Sequence, residues 1–522
     1  MLELRKCGAF YLIIALWGCA SPKAPTGGPK DETPPTIITA ESTPNLQTNF
    51  SDDKITITFD EWFTLKDAAS QVVISPLMPE VPKISQKGKS LLIELPDSLR
   101  EETTYTINFG NAIADLNEGN ILENYAFVFS TGAVLDSARL SGKVTDAATL
   151  KPADGVWVML HPAGLDSAVY KRKPDYIAKT NKEGAWSLAN VRPDTFDVFV
   201  LKDENLNFLY DQVTERIGWL DSSVITDVPL TTIPELFVFD NEKPVAIRDA
   251  IHAEAGWLKI VIDGAVPKAI PSFTPPIDTS WTAWDGDTLH VWYPPSKNYA
   301  GSVILQQDTS RIKAANSRTM ADRPLALSAT TGRIPPAATA FFATKVPIQR
   351  IDVSRISLAT DSVAQMPVTI THDSLDQRKL SAKANWISNA RHTLTFLPGA
   401  IEDVWGRVND TLRQSIVINA ADQFGDVTLL VNQLDSTQQY VVLIKSGEQV
   451  DSRFTISMAK ESKLLRKSIL PGKYIVEVIE DTNGNGLWDT GDFATRRQPE
   501  RKKFFPLEGV RAAWELEVNI SW

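Results

Sequence analysis

Cysteine is almost absent from this chain: among 522 residues only Cys7 and Cys19 carry a thiol. Two such residues cannot supply a disulfide framework for a chain of this length. The fold must therefore rest on hydrophobic cores, with a bound metal ion as the other available staple. Histidine is scarce too. The five, His161, His252, His290, His372 and His392, are scattered without metal-ligand spacing and without a neighbouring nucleophile motif. Gly-x-Ser-x-Gly, His-Glu-x-x-His and a phosphate-cradling glycine loop do not occur. These absences argue against an enzyme, although acidic side chains are numerous enough for folding to assemble a carboxylate pair.

Basic charge is also in deficit. Lys and Arg number 53 against 64 Asp and Glu, a formal net charge of −11, which argues against nucleic acid and against electrostatic adhesion to anionic lipid. The apolar run Cys7 to Gly18 follows Arg5-Lys6 and falls well short of the roughly 20 residues a membrane-spanning helix needs. It ends in Leu16-Trp17-Gly18-Cys19, with a small residue before the cysteine, although Trp17 is bulky for such a site. This reads as a lipoprotein signal over residues 1–18, cut so that Cys19 becomes the lipidated N-terminus. A plain signal peptide with an incidental cysteine, or a buried N-terminal helix, is the competing reading. On the first reading the membrane link is the acyl chains of Cys19, since more than one buried chain anchors stably where a single one is marginal.

Helical periodicity is the last thing missing, because no segment after the signal sustains it over several turns. The stretch to Pro35, with Pro22, Pro25, Gly27-Gly28-Pro29 and Pro34-Pro35, reads as a semi-extended tether over 19–35. From Ile37 onward the text becomes short alternating runs broken by Pro, Gly, Asn and Asp. Ile55 to Phe59, Ser90 to Leu95 and Tyr105 to Phe109 each fit a half-buried strand, and Val156 to Leu160, Phe196 to Leu201, Leu289 to Tyr293, Val427 to Val431 and Tyr440 to Ile444 continue the pattern. The mature chain is therefore expected to be all-β. About 500 residues exceed one core, and sandwiches of near 100 residues suggest about five units.

Two internal repeats sharpen this. Pro193-x-x-Phe196-x-Val198-x-Val200-Leu201-x-Asp203-x-Asn205-x-Asn207-x-Leu209-Tyr210-Asp211 matches Pro471-x-x-Tyr474-x-Val476-x-Val478-Ile479-x-Asp481-x-Asn483-x-Asn485-x-Leu487-Trp488-Asp489 without a gap. A weaker pair joins Ala112-Ile113-Ala114-Asp115 to Ala400-Ile401-Glu402-Asp403.

The residues Ile55-x-Ile57-x-Phe59-Asp60-Glu61, Thr104 to Ile107, Ala112-Ile113-x-Asp115 and Phe127-x-Phe129-Ser130-Thr131-Gly132 resemble the bacterial Ig-like domains of S-layer and surface proteins. Leu140 to Asp146, Thr180 to Gly184 and the run from Pro193 resemble the prealbumin-like sandwich called the carboxypeptidase regulatory-like domain. In this order, after the tether, they resemble Ig-like-domain lipoproteins of the Bacteroidota. The resemblance implies tandem Ig-like and prealbumin-like β-sandwiches behind a lipoprotein signal peptide, and carries over no catalytic residue. The expected units are an Ig-like sandwich at 36–133, a regulatory-like sandwich at 137–235, a β-rich unit of unassigned type at 236–338, a second Ig-like unit at 339–421 and a second prealbumin-like sandwich at 424–522.

The sharpest chemical motif is Asp481 to Asp492. Asp481, Asn483 and Asn485 stand at positions 1, 3 and 5 of a calcium-type loop, Gly486 at the tight turn, Leu487 at the carbonyl position, and Asp489 and Asp492 at positions 9 and 12. Asp492 is one carbon shorter than the usual glutamate, and the preceding residues alternate like a strand rather than a helix. An ion-free turn rich in Asn and Gly fits the same letters. The sister loop keeps Asp203, Asn205, Asn207 and Asp211 but has Phe208 for the glycine and Thr214 for the last carboxylate. A calcium ion here would be structural. Trp281, Trp284, Trp292 and Tyr293 crowd the third unit as candidate binding aromatics, although alternation turns some of them inward. Three functions fit: a non-catalytic lipid-anchored scaffold on the outer membrane, expected on the cell surface rather than the periplasmic face; an accessory subunit of an outer-membrane β-barrel or surface-protein machine; and a glycan-capture lipoprotein.

Overall fold

The computed structural model describes residues 30–164, 167–212, 214–264, 271–277, 280–295, 299–305, 308–312, 324–329 and 334–522. The signal segment, Cys19 and most of the tether lie outside them. Half of the chain is strand, and among the described residues no helix exceeds four residues, so the expected all-β class is what forms. None of those helices is long and apolar enough to cross a membrane.

In the first unit, Lys54–Thr58, Ser90–Glu94 and Lys83–Lys87 form one antiparallel sheet. Val73–Ser75, Thr104–Asn108 and Ala126–Ser130 form a second. The alternation places Ile55, Ile57, Leu91, Ile93, Tyr105, Ile107, Phe127 and Phe129 between them as one core. A side sheet pairs Phe63–Leu65 with Ile113–Asp115. The fourth unit has the same device, Ile348–Ile351 paired with Ile401–Asp403, so the weaker repeat falls on equivalent strands. In both, the aspartate ties the turn that follows: Asp115 accepts backbone N–H groups of residues 117 to 120, and Asp403 those of Trp405 and Arg407.

The two units that carry the longer repeat also share a topology. In the second, Ala138–Asp146 runs parallel to Leu236–Asp240, so its sheet continues past residue 235. In the last, Gly425–Asn432 runs parallel to Glu515–Ser521. In the second unit two adjacent strands, Trp157–Pro162 and Thr195–Lys202, carry runs buried on both faces. Val158, Leu160, Val198 and Val200 point into its own core. Trp157, Met159, Phe199 and Leu201 point outward into a second apolar cluster that takes in Val73 and Leu77 of the first unit and Phe493 of the last. The first unit is pinned there by polar contacts as well. Ser75 Oγ accepts Ile177 N–H at 3.1 Å, and the buried Asp175 carboxylate binds Arg100 of the first unit together with Arg172 and Arg192.

His161 lies on the same doubly buried strand. It is fully buried, packs edge-on against Phe199 at 5.5 Å, and neither ring nitrogen has a partner. Burial pushes its pKa from 6.5 down to about 4, only partly opposed by Asp175. Above pH 6.5 the ring is neutral folded or unfolded, so nothing is lost. As pH falls below 6.5 the unfolded chain takes a proton that the folded chain refuses, and the loss is complete below about 4. At roughly 1.4 kcal/mol per pKa unit the ceiling is about 3 kcal/mol. In urea unfolding between pH 7 and pH 4, His161→Leu should lose about 2–3 kcal/mol less than the parent. Parallel pH profiles would refute this account of the histidine.

Candidate functional site

The two copies of the long repeat present the same loop built two ways. In the second unit, Asp203 caps its loop fully: Oδ1 accepts Asn205 N–H at 3.1 Å and Leu206 N–H at 2.7 Å, and Oδ2 accepts Phe208 N–H at 2.7 Å. The amides of Asn205 and Asn207 close on Asp211 at 3.2 and 2.7 Å. In the last unit Asp481 Oδ2 accepts Gly486 N–H at 2.8 Å and Gln439 Nε2 at 2.7 Å. Asn483 and Asn485 both donate to Asp489 Oδ2, at 2.5 and 2.7 Å. The sixth loop position is left-handed in both copies, φ +62° at Phe208 and +80° at Gly486, and glycine alone takes it without strain.

Behind each loop stands a buried glutamate that the sequence reading missed. Glu215 accepts Glu204 N–H at 3.4 Å and Asp211 N–H at 3.1 Å, while Glu500 accepts Thr482 N–H at 2.7 Å and Asp489 N–H at 3.1 Å. Burial raises the Glu500 carboxyl above the usual carboxylate range. The signal that could have found them is the recurrence of Glu215-Arg216 as Glu500-Arg501, hidden because the offset of the repeat changes after Asp211 and Asp489.

That change of offset is an insertion, and it makes a clasp. Three residues separate Asp211 from Glu215, whereas residues 490–499 separate Asp489 from Glu500. The longer segment forms an arm that docks on the second unit and on the chain leaving it. Phe493, 3 % exposed, enters a socket of Trp219, Tyr170, Tyr210 and Phe199, with ring centroids 5.2, 5.4, 5.8 and 6.0 Å away. The Arg496 guanidinium covers Phe493 at 4.1 Å. Thr490 Oγ1 donates to Asp240 O at 2.5 Å, Asn241 Oδ1 accepts Phe493 N–H at 2.6 Å, Glu242 N–H donates to Gly491 O at 2.8 Å, and Arg497 pairs with Glu242. Gly491 is required by close approach, since an added Cβ would lie 2.3 Å from the Phe239 ring. Asp492, expected as the twelfth loop ligand, serves the arm instead: its carboxylate accepts Ala494 N–H and the Thr495 hydroxyl. Thr214, its counterpart, donates its hydroxyl to Glu204 at 3.0 Å.

Beside the clasp the two units leave a cleft of about 610 Å³, within the range of small-ligand sites. Leu150, Trp219 and Phe237 line it from the second unit; Tyr440, Arg501 and Trp522 line it from the last. Tyr440 meets Trp522 edge-on at 5.2 Å, and Arg501, held by Glu480 at 2.6 and 2.8 Å, lies over the same indole at 5.8 Å. Aromatic faces with a charged rim can seat a sugar ring or an apolar side chain of an extended segment.

The other candidates are placed elsewhere. Trp292 is fully buried and stacks on Trp257 at 5.9 Å, and Tyr293 is 2 % exposed in the core of the third unit, so neither offers a face to solvent. Trp281 and Trp284 are half-buried at the edges of the same two clusters. The remaining histidines hold structure: His290 accepts Trp257 Nε1–H at 3.1 Å, His392 accepts Ile387 N–H at 3.1 Å, His252 meets Tyr299 O and His372 meets Gln377 O, each at 2.9 Å.

Residues 31–131, the first unit, match the bacterial Ig-like domain family. No curated protein matches the chain. Solved structures similar to it include surface layer protein SbsC, domains 1–6, at 11 % identity over 92 % of this chain and 68 % of that one, with a TM-score of 0.16. A second is native alpha-2-macroglobulin from Escherichia coli, domains MG0-NIE-MG1, at 8 % identity over 36 % and 91 %, TM-score 0.18. A third is the Bacteroides ovatus mixed-linkage glucan utilization locus protein SGBP-B in complex with a mixed-linkage heptasaccharide, at 9 % identity over 65 % and 89 %, TM-score 0.19. At such identities and scores none of these bears on what this chain does.

Truncating a buried phenylalanine removes about 3–5 kcal/mol. Phe493→Ala should therefore release the arm while leaving each sandwich folded. In solution scattering the radius of gyration should rise, and amide exchange should accelerate at Leu236–Asp240 without change in Lys54–Thr58. An unaltered scattering curve and exchange pattern would show that the plug does not hold the units together.

Proposed function

We propose that the protein is a non-catalytic, lipid-anchored multidomain scaffold of the bacterial outer membrane that displays a binding surface on the cell exterior. The observation that carries the reading is the clasp: the last unit grips the second, some 250 residues earlier in sequence, and the two together shape the aromatic cleft. A scaffold must hold several sandwiches in a set relation, and a tie of this kind does that. The five histidines, the readiest general bases at neutral pH, are tied to backbone or indole or enclosed among apolar side chains, which supports a role in binding rather than catalysis.

The anchoring half of the proposal rests on Leu16-Trp17-Gly18-Cys19 and on the acidic balance of the chain, which leaves acyl chains as the attachment chemistry. The match of the first unit to the bacterial Ig-like family is in keeping with an extracytoplasmic location. Protease shaving of intact cells tests the facing. Rapid loss of the folded units is expected, with Cys19→Ser moving the protein out of the membrane fraction. Resistance until the outer membrane is breached would replace surface display with a periplasmic role. A β-barrel that co-purifies in mild detergent would turn the scaffold into an accessory subunit.

A further inference from the structure

Asp481 is 1 % exposed, and only half of its carboxylate is satisfied. The bond from Gly486 N–H to Oδ2 turns the group into its own loop, yet Oδ1 is buried without any hydrogen-bond partner. Buried polar atoms are nearly always paired, and a charged one left bare is among the more costly defects a fold can carry. The homologous Asp203 has no such defect, since both of its oxygens accept backbone N–H groups. The two loops share sequence, fold and a glutamate brace, so the bare oxygen is a property of the last unit alone.

The loop that Asp481 opens carries a set of hard donors. Asn483 and Asn485 converge on Asp489 within 2.5–2.7 Å, and half a turn of each amide presents its oxygen where the NH2 now sits. Leu487, 60 % exposed, keeps its carbonyl at the loop position that ligates in calcium loops of this spacing. No sulfur or imidazole belongs to the set, which excludes the softer metals, and a flexible loop of five protein oxygens suits Ca²⁺ better than the strict octahedron of Mg²⁺.

We infer that the loop of the last unit binds one Ca²⁺ through Asp481, Asn483, Asn485, the Leu487 carbonyl and Asp489, and that this ion governs docking of the arm 490–499. The coupling is covalent and short. Asp489 is a ligand, and the next residue, Thr490, makes the first bond to the second unit, to Asp240 O. With the ion present, the root of the arm is fixed and Phe493 is delivered to its socket; without it, Asp481 and Asp489 repel and the root loosens. Asp492 lies outside the ligand set, and the sister loop stays ion-free because Asp203 has no oxygen to spare and Phe208 fills the glycine position. Two carboxylates place the affinity in the ~10⁻⁴–10⁻³ M range of extracellular calcium modules. The inference does not rest on the scaffold reading.

Calorimetry on the full chain in detergent, stripped with chelator and titrated with calcium chloride, counts the ions. Trypsin cleavage after Arg496 and Arg497, followed by fragment mass, reads the arm. One ion per chain is expected. Cleavage should slow by the factor 1 + [Ca²⁺]/Kd, about 100-fold at one hundred times the dissociation constant, with magnesium chloride far less effective. Asp489→Ala should lose both effects, and Asp211→Ala in the sister loop should keep one ion and full protection. Absence of heat and protection in the parent chain at roughly 10 mM Ca²⁺, tenfold above the expected range, overturns the site. Two ions per chain overturn the distinction between the loops, and binding without protection overturns the link to the arm. Because the parent chain with and without calcium carries the test, a variant that fails to fold does not blunt it.

Discussion

Burial of one sheet on both faces is the constraint from which the arrangement of this molecule follows. A strand in an isolated sandwich alternates, one face in the core and the other in water. Within Trp157–Pro162 and Thr195–Lys202 the stretches Trp157 to Leu160 and Val198 to Leu201 do not alternate; they are apolar on both sides. The inner face is satisfied within the second unit. The outer face would leave Trp157, Met159, Phe199, Leu201, Trp219 and Phe239 in solvent together, a patch of the kind that soluble domains cover or use. Val169, Phe208 and Tyr210 of the second unit cover part of it. The first unit brings Val73 and Leu77, and the last brings Phe493. The order of units along the chain is thus folded around one surface.

Duplication followed by divergence supplied both halves of that contact. The strand that carries Phe199 in the second unit carries Glu477 at the matching position of the last, where it binds Lys445 at 3.1 Å and Lys502 at 3.2 Å. Lys502 in turn lies 4.1 Å over the Trp488 ring. One copy kept an apolar outer face and became a socket. The other made its face polar, covered it with its own tryptophan, and lengthened the segment before Glu500 into a plug. Complementary specialisation of the two copies lets a chain recognise itself across a long sequence gap, since one unit carries the socket and the other the plug.

Much of this fold was legible in the letters. Period-two runs located strands in every unit, and the gapless match of Pro193 to Asp211 with Pro471 to Asp489 located the two related sandwiches. The weaker repeat proved to mark equivalent side sheets. What stayed hidden had a common cause. The run Val156 to Leu160 announces burial on two faces, but periodicity cannot name the cover, which comes from residues about 300 positions away by chain and next door in space. Phe493, Glu215 and Glu500 all sit where the insertion breaks the alignment of the repeat, so pattern matching stopped four residues short of Glu215 and Phe493. The tryptophans of the third unit misled in the opposite direction. Trp292 and Tyr293 are adjacent in an alternating strand and should face opposite ways, yet both are buried, because the fourth unit closes the second face with Val346 and with Trp405, whose indole donates to Tyr293 O at 2.9 Å.

With no cysteine among the described residues, the units must close long loops by weaker means, and the physics of loop closure makes that feasible. The entropy of joining two points grows only as the logarithm of the chain between them, about 0.6 kcal/mol for each doubling, so a tie across some 250 residues costs little more than one across 60. Prefolded sandwiches reduce the cost further, since the intervening chain is a few rigid bodies rather than a coil. A single buried phenylalanine, at about 3–5 kcal/mol, is then of the right size to hold the closure while leaving it reversible. Reversibility is what a disulfide would have removed. An ion at the root of the arm adds stability that depends on its concentration, and so ties closure to the surroundings rather than fixing it once at folding.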